Sequence, residues 1–164
     1  MKLEQKIASL LTAKKQTLAV AESCTGGLLA NTLTNVPGSS VFFMLGVVTY
    51  SNAAKTKTLK IPAAVIKKHG AVSAAVAQRM AQGVRRILKT DIGIGVTGIA
   101  GPTGASATKP VGLTYIAISQ GKKDAVFEYR FKGSRVANKQ QAVKAALQII
   151  LKFTSLQPTF KYNT

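Results

Sequence analysis

Acidic side chains are scarce in this sequence. Asp and Glu total 5 of 164 residues (Glu4, Glu22, Asp91, Asp124 and Glu128) against 23 Lys and Arg, a formal net charge of +18. A two-carboxylate glycosidase site would need two of those five to converge. A carboxylate-rich magnesium or calcium site faces the same shortage. The single cysteine, Cys24, excludes an internal disulfide and suits a reducing compartment. With one histidine, His69, it cannot complete an ordinary zinc site. No tryptophan is present. No apolar run approaches the roughly 18 residues that span a bilayer. The opening Met-Lys-Leu-Glu-Gln-Lys carries no apolar segment of a secretory signal. The expectation is a cytoplasmic protein with no membrane partner, no metal and no cofactor.

What is present fits one compact domain. The hydrophobic fraction is 46% and the mean hydropathy +0.17, and a chain of this length can bury a real core. We take residues 1–164 as a single domain with an ordered core of about 2–156. The cations attract anionic partners. They are spread along the chain, with no interleaving of basic and aromatic residues for base stacking. Nucleic acid is therefore expected only as a non-specific electrostatic partner.

The chain is organised around residues 37–55. A Pro37-Gly38 turn delivers Ser39 and Ser40, and the apolar run Val41–Val48 reads as a buried strand. Beyond it come Tyr50, Ser51, Asn52 and Lys55. Ser51 or Asn52 can cap a helix, which puts Lys55 in the first helical turn. The positive end of the helix dipole disfavours an ammonium there. Burial would add to that field and free a lone pair, as a general base requires. The alternative is a solvated lysine on a short helix. A serine nucleophile needs such a base, and spacing alone leaves Ser23, Ser40 and Ser51 open.

In chain order, residues 2–15 read as an amphipathic helix and 17–21 as a buried strand. Glu22–Gly27 is a turn into a helix over 28–34, whose N-terminal amides would suit an anion or an oxyanion. Residues 61–70 read as a helix ended by Gly70, with His69 in a structural place at its C-terminus. Ser73 caps a helix over 74–89. Residues 91–97 form a buried strand, and the loop 98–109 follows at its C-terminal end, where α/β sheets bind ligands. Gly93, Gly95 and Gly98 spell G-x-G-x-x-G, but two of them lie inside the strand and no helix follows. Residues 110–119 and 125–131 read as strands joined at Gly121, 135–155 as a final helix and 157–164 as a frayed tail. The fold class is α/β, a three-layer α/β/α sandwich around a mixed sheet.

No G-x-S-x-G elbow ties a serine to His69. Cys24 at a helix N-terminus is a weaker candidate nucleophile, and the S-x-x-K spacing is absent.

Ala21–Gly27, Pro37–Ser40, Val48–Asn52 with Lys55, Gly70–Ser73, Thr97–Pro102 and Lys109–Gly112 occur together and in order. This set resembles the CinA C-terminal domain family, whose stand-alone members are nicotinamide-nucleotide amidohydrolases, over about residues 4–155. The resemblance implies hydrolysis of the carboxamide of nicotinamide mononucleotide to nicotinic acid mononucleotide and ammonia. It implies Ser40 as nucleophile, Lys55 as base and Tyr50 as an aid to proton transfer or orientation. It implies a substrate site drawn from Ser23, Thr25, Gly26, Ser39, Thr97, Gly98, Lys109 and Arg135, with Lys109 and Arg135 toward the 5′-phosphate. A homodimer is the implied assembly. Two departures stand out, Ser134 where relatives carry Asp and Lys139 where an Arg often sits.

Overall fold

The computed structural model describes residues 1–155; the tail expected over 157–164 lies outside the described residues. Helix α1 covers Leu3–Lys14 and turns its apolar face, with Ile7, Ala8 and Leu11, into the protein. Strand β1 (Leu18–Glu22) is buried throughout. Helix α2 (Leu28–Thr34) follows, then a 3₁₀ turn at Ser39–Val41 and strand β2 (Phe43–Val48). Three helices come next, α3 (Asn52–Leu59), α4 (Ala63–His69) and α5 (Ala74–Leu88). Strands β3 (Ile92–Gly98), β4 (Leu113–Gln120) and β5 (Lys123–Arg130) lead to the long helix α6 (Arg135–Ser155).

Local chemistry explains most of these boundaries. Ser51 Oγ accepts from Ala54 N–H at 3.0 Å and starts α3, while Ser73 Oγ accepts from Val76 N–H and starts α5. Gly70 stops α4 at a positive φ of 78°. In α5 the buried Val76, Ala77, Met80, Ala81 and Val84 recur at helical spacing.

The five strands form one mixed sheet in the order β2-β1-β3-β4-β5. The first three are parallel and the last two run antiparallel to their neighbours. Helices α1, α2 and α6 pack on one face and α3, α4 and α5 on the other, which completes the three-layer sandwich. Gly93 and Gly95 serve that packing rather than a nucleotide. A Cβ on either would lie 2.2 Å from Ala81 O or 2.4 Å from Ala77 O, so α5 rests directly on β3. The apolar run 41–48 is not the buried strand that its composition predicts. β2 is the edge of the sheet, and Met44, Gly46 and Val48 on it are exposed. Hydrophobicity alone does not separate an edge strand from a central one.

The chain leaves β1 for β2 through α2 on one face. It returns to β3 on the other side of β1 through α3–α5 on the opposite face. The carboxyl ends of β1 and β3 thus flank a topological switch point, where open α/β sheets form a crevice.

Candidate active site

The pairing of the parallel strands continues one residue past the end of β1. Ser23 N–H donates to Val96 O and Thr49 N–H donates to Glu22 O, each at 2.9 Å. Ser23 and Thr49 are therefore held side by side at the carboxyl edge of the sheet. Helix α3 then brings Lys55 back beneath them. Its Nζ lies 3.0 Å from Ser23 Oγ and donates to Thr49 O at 2.8 Å. Lys55 is 1% exposed, so the solvated reading is excluded. Burial pulls its pKa below the ordinary lysine value, opposed only by the charge of a Cys24 thiolate.

These residues wall a cavity of about 260 Å³. Ser23, Cys24, Tyr50 and Lys55 form one side, Ala71 and Val72 a second, and Thr97–Gly101 with Thr103 and Gly104 a third. Thr97 Oγ1 donates to Ala71 O at 2.9 Å and ties two of these walls together. Gly98 leaves no room for a side chain, since a Cβ there would sit 2.6 Å from Thr114 Oγ1. Arg135 spans the mouth, donating to Gly101 O at 2.8 Å and to the Tyr50 hydroxyl at 3.0 Å. Burial pushes the Cys24 thiol up to about 11. A neutral thiol, like a neutral hydroxyl, needs a base to attack, and the Lys55 amine is hydrogen-bonded to Ser23 Oγ.

The turn after β1 differs from its sequence-based reading. Most amides at the start of α2 are not free for an anion. The buried Glu22 carboxylate accepts from Gly27, Leu29 and Ala30 N–H at 3.1, 3.0 and 2.8 Å. Among the described residues, the Cys24 and Thr25 amides have no acceptor on another residue. Those two remain as candidate oxyanion donors beside Ser23.

The expected site residues divide into two groups. Ser23, Lys55, Tyr50, Thr97, Gly98 and Arg135 meet at the cavity. Ser40 requires a correction. It is exposed on the 3₁₀ turn before β2, whereas Lys55 acts at the opposite end of that strand. Six residues at about 3.3 Å each put ~20 Å between the two ends, so within one chain Ser40 cannot give its proton to Lys55. Ser39 shares that displacement. Lys109 does not line the cavity either; its ammonium donates to His69 O and Val72 O at 2.8 and 2.7 Å and straps the 98–112 loop to the segment before α5. Thr25 is buried and Gly26 exposed, and both lie outside the lining. Ser51 is occupied as the α3 cap.

Sequence reasoning missed the parts played by four residues. The Thr49 carbonyl holds Lys55, a backbone role that no residue type signals. Ala71 and Val72 are apolar and carry no chemical mark. Glu22 replaces a missing cap, since Gly27 at the α2 N-terminus offers no side chain. A buried acid five residues before a glycine-led helix was the available clue. Among the described residues no three His, Cys, Asp or Glu side chains gather as a metal site. Among them, too, no helix is long and apolar enough to cross a membrane.

Comparison with known proteins shows the family and the fold. The family model described as the CinA C-terminal domain matches residues 1–154. A CinA-like protein of Syntrophus aciditrophicus is 49% identical over 152 residues, covering 92% of this chain and 36% of that protein. A Caldicellulosiruptor bescii protein is 53% identical over 150 residues with the same coverage. The chain thus spans about a third of the length of these curated relatives. Among solved structures, a CinA superfamily protein of Klebsiella pneumoniae superposes with a TM-score of 0.91 at 34% identity, covering 94% of this chain and 97% of that one. The Agrobacterium tumefaciens protein CihA gives 0.89 at 36% identity, covering 92% of each.

Proposed function

The chain belongs to the CinA C-terminal domain family, and on that premise we propose that it is a metal-independent amidohydrolase acting on nicotinamide mononucleotide, with Ser23 as nucleophile and Lys55 as base. The observation that carries the reading is the 3.0 Å contact between Lys55 Nζ and Ser23 Oγ in a buried setting. Burial favours the neutral amine, and a neutral amine can accept the serine proton while still donating to Thr49 O.

The steps follow from these positions. Lys55 takes the Ser23 proton, and Ser23 Oγ attacks the carboxamide carbon. The oxyanion that forms meets the Cys24 and Thr25 amides. The carbon–nitrogen bond then breaks, and ammonia leaves with the proton returned by Lys55. Water, deprotonated by the same amine, attacks the acyl ester and frees Ser23 and the carboxylate product. In this reading Arg135, which lines the cavity, receives the 5′-phosphate, for which a guanidinium fork is suited. Its bond to Tyr50 gives the tyrosine an orienting part.

Ammonia release from nicotinamide mononucleotide tests the assignment. Ser23→Ala and Lys55→Met should each lower kcat by at least about 10³-fold, whereas Ser40→Ala should stay within about twofold. Undiminished turnover in Ser23→Ala would dismiss the nucleophile. No ammonia from any pyridine nucleotide would dismiss the substrate class.

A further inference from the structure

A second concavity lies on the far side of α3 from the base. Asn52, Ala53, Thr56 and Lys57 of α3 face Ala63, Ile66 and Lys67 of α4 across a groove of about 580 Å³. That volume lies in the range of roughly 300–1,000 Å³ typical of small-molecule sites. The apolar part of the lining is Ala53 and Ala63, both exposed, and the buried Ile66. The rim carries two ammonium groups, Lys57 and Lys67, neither of which has a hydrogen-bond or ion-pair partner among the described residues. None can come from nearby in sequence, because residues 51–90 contain no Asp or Glu.

We propose that this groove binds a small amphipathic anion, an apolar body of about the size of one aromatic ring bearing a carboxylate or equivalent anionic group. The apolar lining takes the body, and the two lysines, left without counter-charge by the protein, take the anion. Charge argues against the other occupants. Within residues 156–164 the one charged side chain is Lys161, which would be repelled by the two groove lysines. A second copy would present a surface of the same sign, since the chain has 23 cations for 5 acids. The inference does not depend on the amidohydrolase reading.

Backbone-amide NMR titration with 3-phenylpropionate, beside the neutral 3-phenylpropan-1-ol, tests it. Saturable shifts centred on Ala53, Thr56 and Ile66 are expected, with the alcohol binding at least tenfold more weakly. Lys57→Gln with Lys67→Gln should weaken the carboxylate at least tenfold, and Ala63→Trp, which fills the groove, should abolish its binding while the remaining spectrum stays unchanged. Ser23→Ala should bind like the parent. Equal affinity for acid and alcohol, unsaturable shifts scattered over the surface lysines, shifts centred on the Lys55 cavity, or shifts that follow protein concentration as in self-association would each overturn the proposal.

Discussion

Two neighbouring groups beneath the sheet edge should give this protein an unusual dependence of stability on alkaline pH. Lys55 is buried, and its pKa is lowered below the ordinary 10.5 by desolvation. Between that lowered value and 10.5 the unfolded chain holds the proton more readily than the native one. Stability therefore rises with pH across this window, by at most about 1.4 kcal/mol per pH unit, and is flat above it. Cys24 behaves in the opposite sense. Its pKa is raised from 9.0 to about 11, first of all by desolvation. The native thiol keeps its proton while the unfolded one loses it, so stability falls between pH 9.0 and 11. Two units correspond to a loss of about 3 kcal/mol.

In the parent protein the two slopes oppose one another wherever the Lys55 window, which closes at pH 10.5, overlaps the Cys24 window that opens at 9.0. Lys55→Met removes the rise and leaves the fall. Cys24→Ala removes the fall and leaves the rise up to 10.5. Urea unfolding of the parent, both single variants and the double variant from pH 7 to 11 resolves these slopes, and the double variant measures the coupling between thiolate and ammonium. Curves that stay parallel for all four proteins would refute the reasoning, because neither group would then titrate differently in the folded state.

Two further expectations concern the mouth of the site and the turn behind it. Arg135→Ala should raise KM for nicotinamide mononucleotide about 10–100-fold, the worth of a charged hydrogen bond, with kcat nearly unchanged. The phosphate-free nucleoside should show little of that effect, and an equal effect on both substrates would remove Arg135 from the phosphate. Glu22→Gln replaces a carboxylate that accepts three amides with a group that also donates. Stability should fall by roughly 2–4 kcal/mol, read as a lower urea midpoint with an unchanged m-value. A midpoint equal to the parent's would mean that the α2 amides do not need this acceptor.

Most helices could be read from local patterns. Ser51 and Ser73 are caps because their hydroxyls satisfy the amides that a helix start leaves open, and Gly70 ends α4 because it accepts a positive φ. The late hairpin was visible from two apolar runs joined at Gly121. The status of β2 was not, because exposure at an edge depends on strand order, which no local window contains. Lys109 was expected at a phosphate and instead holds two carbonyls. Its partners, His69 and Val72, are 40 and 37 residues away.

The sequence by itself settled the order of elements and narrowed the chemistry, since hydrophobic period, caps and the count of acids are properties of short stretches or of composition. It also marked Lys55 as a lysine out of place. Which serine faces that lysine was decided only by tertiary structure. Parallel pairing of β1 and β2 carries Ser23 to Lys55 across 32 residues, while the same strand geometry holds Ser40, much nearer in sequence, a full strand length away.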